Sequence, residues 1–184
     1  MKKQINTNIT PISAPAVVIS VGEGEKANLI TLAWVGRVVS NPPVMSISIR
    51  PSRHSYSLIE ELSEFVINIP FSEQMREMDY CGTRTGKKTN KWEDLNLTKH
   101  DSTKVKVPMV KEFPINIECK VINRIEHGTH VIYFGEVLAV NVDEELLKKN
   151  RLDPEMQDQI AYVNGKYYSL NKNPLNTHGF SNKE

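Results

Sequence analysis

The sequence predicts a mainly β protein, a closed antiparallel barrel decorated by short helices. Three observations predict it. Apolar, β-branched runs recur along most of the 184 residues, clusters of Gly, Pro and Asn punctuate them, and stretches of helical period are few and short. A doubly wound α/β fold would need strands and helices in regular alternation, which this chain lacks.

The runs at 16–21, 29–39, 44–49, 64–69, 115–125 and 131–142 read as the strands. Gly22-Glu23-Gly24, Asn41-Pro42-Pro43 and His127-Gly128 are turn signals between them. In 44–49, Met45, Ile47 and Ile49 form a core face, while Ser46, Ser48 and Arg50 form a polar one. After Pro51 the period changes: Tyr56, Leu58, Ile59 and Leu62 share one face of a short helix ending near Ser63. Ser72 is placed to cap a second helix carrying Met75 and Met78 before Gly82, and 144–150 reads as a third. Asn164-Gly165, between the short runs 160–163 and 167–170, is a strong hairpin signal.

Composition narrows the classes. With 39% hydrophobic residues and a net charge of +1, the chain is expected to fold as a single domain, 1–184, with a core about 12–145 and a C-terminal extension 146–184. The near-neutral balance argues against a dedicated nucleic-acid binder. The start, MKKQINTNITPIS, has no apolar core of a signal peptide, and no stretch approaches the roughly 20 apolar residues of a membrane helix. Cys81 and Cys119 form no CxxC, so no disulfide framework or zinc site is suggested. A cytoplasmic location and no membrane partner are the expectations.

The junction after the third strand is unusual. Arg50, Ser52, Arg53, His54 and Ser55 crowd the start of the helix, and acids appear only at Glu60 and Glu61. That order opposes the helix dipole, which favours acids at the start. It suits a phosphate held by free backbone N–H groups, hydroxyls and arginine, and it also suits a plain solvated junction. A second cluster, CGTRTGKKTNKW, brings Arg84, Lys87, Lys88 and Lys91 onto a backbone freed by Gly82 and Gly86. It is no P-loop: three residues rather than four separate the glycines, and a lysine stands where Ser or Thr is required. A flexible basic loop is the plain alternative. A third segment, KANLITLAWVG, sets Asn28, Thr31, Ala33 and Trp34 in one apolar strand, where amide and hydroxyl groups can meet a heteroaromatic edge and a tryptophan can cover a ring or fill the core.

NLITLAWVGRVVSNPPVMSISIRPSRHSYSLIEELSEFVINIP, then CGTRTGKKTNKW, then IECKV and GTHVIYFGEV, in that order from about Pro15 to about Val142, together resemble the flavin reductase-like, FMN-binding split-barrel family, its flavoredoxin-type branch most. The resemblance implies a six-stranded antiparallel split barrel with Greek-key connections, and a homodimer with FMN near each subunit interface. By matching motif it implies that Asn28, Thr31, Ala33 and Trp34 line the isoalloxazine. Ser48, Arg50, Ser52 and Ser55 would follow the ribityl chain and phosphate, and Thr85, Gly86, Lys87 and Lys91 would close the phosphate end. His130 would lie close to the flavin and nicotinamide. Thr85 stands where the family often has Ser, which keeps the hydroxyl.

The activity implied is hydride uptake from NAD(P)H through FMN, with electrons passed to a flavin or another acceptor. The alternative is an electron-transfer flavoprotein reduced by a protein partner without NAD(P)H. A third reading, from another class, is a barrel that binds single-stranded nucleic acid through 87–91 and Trp92. The sequence holds no Ser-His-Asp or Cys-His constellation, and flavin chemistry requires none. His127 and His130 form an HxxH, but on one alternating strand they would fall on opposite faces, so no metal site is expected.

Overall fold

The structure, a computed structural model, describes residues 1–7, 9, 11–156, 158–170 and 173–183. Its main elements are β1 (Val17–Val21), β2 (Asn28–Leu32), β3 (Val35–Ser40), β4 (Pro43–Ile49), α1 (His54–Leu62), β5 (Glu64–Ile69), α2 (Met75–Thr83), α3 (Lys91–Asp94), β6 (Ile115–His127) and β7 (His130–Val142). A final hairpin, β8 (Ile160–Val163) and β9 (Lys166–Ser169), follows. Seven strands form one antiparallel sheet in the order β2-β1-β5-β6-β7-β4-β3.

The two edges of this sheet, β2 and β3, are consecutive in the chain and joined by Ala33 and Trp34 alone. So short a link forces the sheet to curl until its edges meet, which makes it a barrel. The strand count is seven rather than six because the run 29–39 divides at Ala33–Trp34 into two strands on opposite edges.

Strand period decides what goes inside. Ile47 and Ile49 of β4 are buried with Ile19, Phe65, Ile67, Val131 and Tyr133, while Ser46 and Ser48 face outward, as the alternation predicts. β1 and β5 are buried on both faces, because a second layer covers their outer side. There Val18 packs with Met78, Cys81, Trp92 and Phe113, and Val66 packs with Val105, Val107 and Met109. The Asn68 amide of this layer is satisfied. Asn68 donates to the Val18 carbonyl at 3.0 Å and accepts from Val110 N–H at 3.0 Å and Asn116 Nδ2 at 2.9 Å.

The Asn164-Gly165 hairpin forms, with φ of 46° and 83° at its two turn residues. The helix expected over 144–150 does not. Only Leu146 is buried there, so no apolar stripe exists to hold a helix. A short 3₁₀ turn, Glu144–Leu146, leads instead into a tight hairpin whose turn residues Lys149 and Asn150 have φ of 52° and 59°. Ser72 does not cap α2. A 3₁₀ turn, Ser72–Gln74, precedes that helix, and the side chain of Gln74 accepts the Phe71 N–H at 2.8 Å.

Candidate functional site

The predicted residues collect in two clusters at one end of β4. In the first, β4 pairs with β7 so that Val131 lies opposite Ile49, which brings His130 beside Arg50. Arg50 Nε donates to His130 Nε2 at 3.4 Å, and His130 Nδ1 lies 2.9 Å from Thr129 Oγ1. Since Nε2 accepts, Nδ1 carries the proton and donates to the threonine. Partial burial, and then the Arg50 cation, hold the His130 pKa below its ordinary value. The imidazole is thus neutral at neutral pH. Ser48 N–H donates to the Trp34 carbonyl at 3.0 Å, and the Trp34 ring meets the His130 ring at 4.6 Å, tilted by 54°. Trp34 is 58% exposed, and so is a surface ring rather than a core one.

The second cluster surrounds the start of α1. Arg53 occupies the N-cap position without a side-chain hydrogen bond, and the first turn holds no acid. Helix geometry leaves the first N–H groups without intrahelical partners. Ser52 is exposed at this turn, whereas Ser55 is buried and its hydroxyl accepts from Asn28 Nδ2 at 2.8 Å. The loop after α2 folds over both. A Cβ on Gly86 would lie 2.3 Å from Asn28 Oδ1 and 2.8 Å from His54 Cδ2, so this close approach admits only glycine. Thr85 shapes the loop by accepting from Lys88 N–H at 3.1 Å and Thr89 Oγ1 at 3.0 Å.

Lys91 is almost wholly buried at the base of that loop, with Nζ 2.6 Å from the Leu29 carbonyl and 2.7 Å from the Cys81 carbonyl. Burial is the main cause that brings its pKa down to about 8, with Arg53 adding to it. An ammonium has three N–H groups, so one remains beyond these two bonds. Asn28, His54, Gly86, Lys87, Lys88 and Lys91 line a cavity of about 610 Å³. Among its acids, Glu61 is paired with Lys26 at 3.1 Å.

Two predicted residues stand apart. The Thr31 hydroxyl donates to the Met78 carbonyl, tying β2 to α2, and Ala33 is half-buried in the link between the barrel edges. The HxxH geometry needs correction. The chain turns back at Gly128–Thr129, so His127 lies directly across from His130 and the two share a face. No group of three or more metal-ligating side chains occurs among the described residues. Trp92 is buried with its N–H on the Ala27 carbonyl at 3.0 Å, so it offers no face to a nucleobase. Sequence reasoning missed Tyr162, which shares a cavity with Trp34 from the far end of the chain; no local pattern signals such a pairing.

One antiparallel barrel thus carries a cation-lined cavity at the start of α1 and an exposed tryptophan beside His130. A family model described as a flavin reductase like domain matches residues 10–171. The chain belongs to this flavin-binding family. Flavoredoxin of Desulfovibrio vulgaris (Miyazaki F) superposes with a TM-score of 0.90 at 30% identity, covering 100% of both chains. An uncharacterised protein of Archaeoglobus fulgidus is 41% identical over 116 residues, which are 63% of this chain and 66% of that one. A ferric-chelate reductase (NAD(P)H) of the same organism is 25% identical over 133 residues, covering 72% and 75% of the two chains.

Proposed function

We propose that the chain is an FMN-dependent oxidoreductase that takes hydride from NAD(P)H and passes electrons to a flavin or another acceptor. The observation that carries this reading is the cavity at the start of α1. Its donors are Lys87, Lys88, the remaining Lys91 N–H and the uncapped helix N-terminus, a set that fits a dianionic phosphate ester. Arg50 and Ser48, at the end of β4 just before α1, stand beside His130 and Trp34. When bound, the flavin supplies hydride acceptance and release in one- or two-electron steps.

The chain's own residues have narrower tasks. Asn28, fixed by Ser55, presents its amide to the cation-lined cavity. Trp34 excludes water from one side of the corner, and neutral His130, held by Arg50 and Thr129, offers a positioned imidazole for a nicotinamide or a proton. His130→Ala should leave FMN bound and slow flavin reduction by NAD(P)H roughly 10- to 100-fold, as expected when one positioning contact is lost. Stopped-flow reduction at saturating nucleotide reads this, and an unchanged rate would leave His130 a wall residue.

Lys87→Ala tests the phosphate reading, because Lys87 lines the cavity at the start of α1. It should weaken FMN roughly 10- to 150-fold and riboflavin far less, because riboflavin has no phosphate to lose. Equal losses for both ligands, or a colourless protein that takes up neither, would defeat it.

The working unit in this reading is a homodimer. Ile132 and Phe134 lie on the same outward face as His130, and Ile125 sits directly across from Ile132 with 48% of its surface exposed. An apolar strip contiguous with the site is suited to a second copy. Sedimentation should find a dimer at micromolar concentration, and a stable FMN-loaded monomer would contradict it.

The flavoredoxin likeness, at full coverage of both chains, favours a second reading in which a protein partner reduces the FMN and NAD(P)H does not. Anaerobic titration separates them: loss of the visible flavin absorption on adding NADH or NADPH supports the first, and its persistence the second.

A further inference from the structure

A second cavity, of about 750 Å³, is walled by Ile9, Ile12, Ala14, Trp34, Tyr162 and the Asn164-Gly165 turn. Its chemistry is opposite to that of the first. None of its described lining residues carries a charge, whereas lysines line the first cavity.

The wall is braced. Tyr162 lies in register between Ala14 on one side and Tyr167 on the other, and the two tyrosine rings meet at 5.8 Å. Tyr167 is in turn anchored to α2 by its hydroxyl, 2.9 Å from Asp79 Oδ1. Trp34, 58% exposed, and Ile12, 66% exposed, line the same cavity. An apolar ring held open between a braced tyrosine and a surface isoleucine gains by being covered. A charged molecule would lose its hydration there with no counter-charge in return.

We infer that this cleft binds an uncharged, planar aromatic molecule between Trp34 and Tyr162. Its use as the electron acceptor rests on the flavin reading above; its binding does not. Trp34 joins the two places, since the same side chain lines the cleft and meets the His130 ring at 4.6 Å.

The test is titration of the purified protein with menadione, an uncharged naphthoquinone, followed by tryptophan fluorescence. Anthraquinone-2-sulfonate serves as the charged comparison. Trp34 should be quenched by menadione and far less by the sulfonate, while buried Trp92 supplies a residual signal. Tyr162→Ala should weaken menadione by roughly tenfold or more, with FMN affinity unchanged. Ile12→Asp, on an exposed segment outside the barrel, puts a carboxylate in the wall and should weaken it similarly without touching the fold. Absence of quenching, equal binding of the sulfonate, or unchanged affinity in both variants would overturn the inference. If Tyr162→Ala weakens FMN as much as menadione, the cleft is part of the flavin's own seat and the inference falls while the proposed function stands. Menadione binding to a protein that takes up no FMN would have the reverse meaning.

Discussion

Gly86→Val is expected to raise the dissociation constant for FMN by roughly 100-fold while shifting the melting temperature by only a few degrees. The cause is steric and local. Any Cβ at this position meets Asn28 Oδ1 at 2.3 Å and His54 Cδ2 at 2.8 Å, so the loop must lift away from both. Lifting it separates Lys87 and Lys88 from the start of α1, and it disturbs the Asn28–Ser55 hydrogen bond beneath. The barrel itself is untouched, because the loop residues from Arg84 to Lys88 are exposed or half-buried. Flavin fluorescence titration with a parallel melting curve measures both quantities. Undiminished affinity would remove the loop from the site.

The largest stability effect is expected at Glu118, far from the cavity. This carboxylate is fully buried, yet it accepts from Thr103 N–H at 2.9 Å, Lys104 N–H at 2.6 Å, Val105 N–H at 3.2 Å and Asn141 Nδ2 at 2.8 Å. Burial pushes its pKa up, but the donors from Thr103, Lys104 and Asn141 outweigh it and hold the carboxyl below its ordinary value. Glu118→Ala strands these donors and should cost about 3 kcal/mol. In a chain of this size that is a fall in melting temperature of about 6–12 °C. The pH dependence has a definite sign. The folded pKa is depressed, so this stabilisation is complete above the unfolded carboxylate value of about 4.3 and is lost as pH falls through the folded value. The difference between the native chain and Glu118→Gln should therefore shrink in acid. A gap that stays constant from neutral to acid pH would show that the charge contributes nothing.

How much of this was legible in the sequence depended on range. The β4 alternation and the Asn164-Gly165 turn are local patterns, and the structure keeps both. The cations at the start of α1 could be read because they oppose the helix dipole within one turn. The division of the run 29–39 could not, because nothing in the run itself marks Ala33–Trp34 as a crossing between edges; only barrel closure does. The sequence groups Lys91 with the other cations of its loop and does not mark it as buried. Its burial follows from two carbonyls, one of them on β2, that only the folded chain brings together. The two histidines of the HxxH fall on opposite faces only when the period of one strand is carried through the turn at Gly128–Thr129.

The pairing of β4 with β7 joins residues roughly eighty positions apart, while β6 and β7 are linked by a two-residue turn. Closing short loops is fast and closing long ones slow, so the β6–β7 hairpin can serve as an early template on which β4 docks late. Arg50 and His130 stand on the two sides of that late seam. The corner that would face a nicotinamide therefore does not exist in a partly folded chain, and it is among the first features lost when the chain begins to open. A flavin bound across the seam would act as its rivet, adding its binding free energy to the resistance against unzipping.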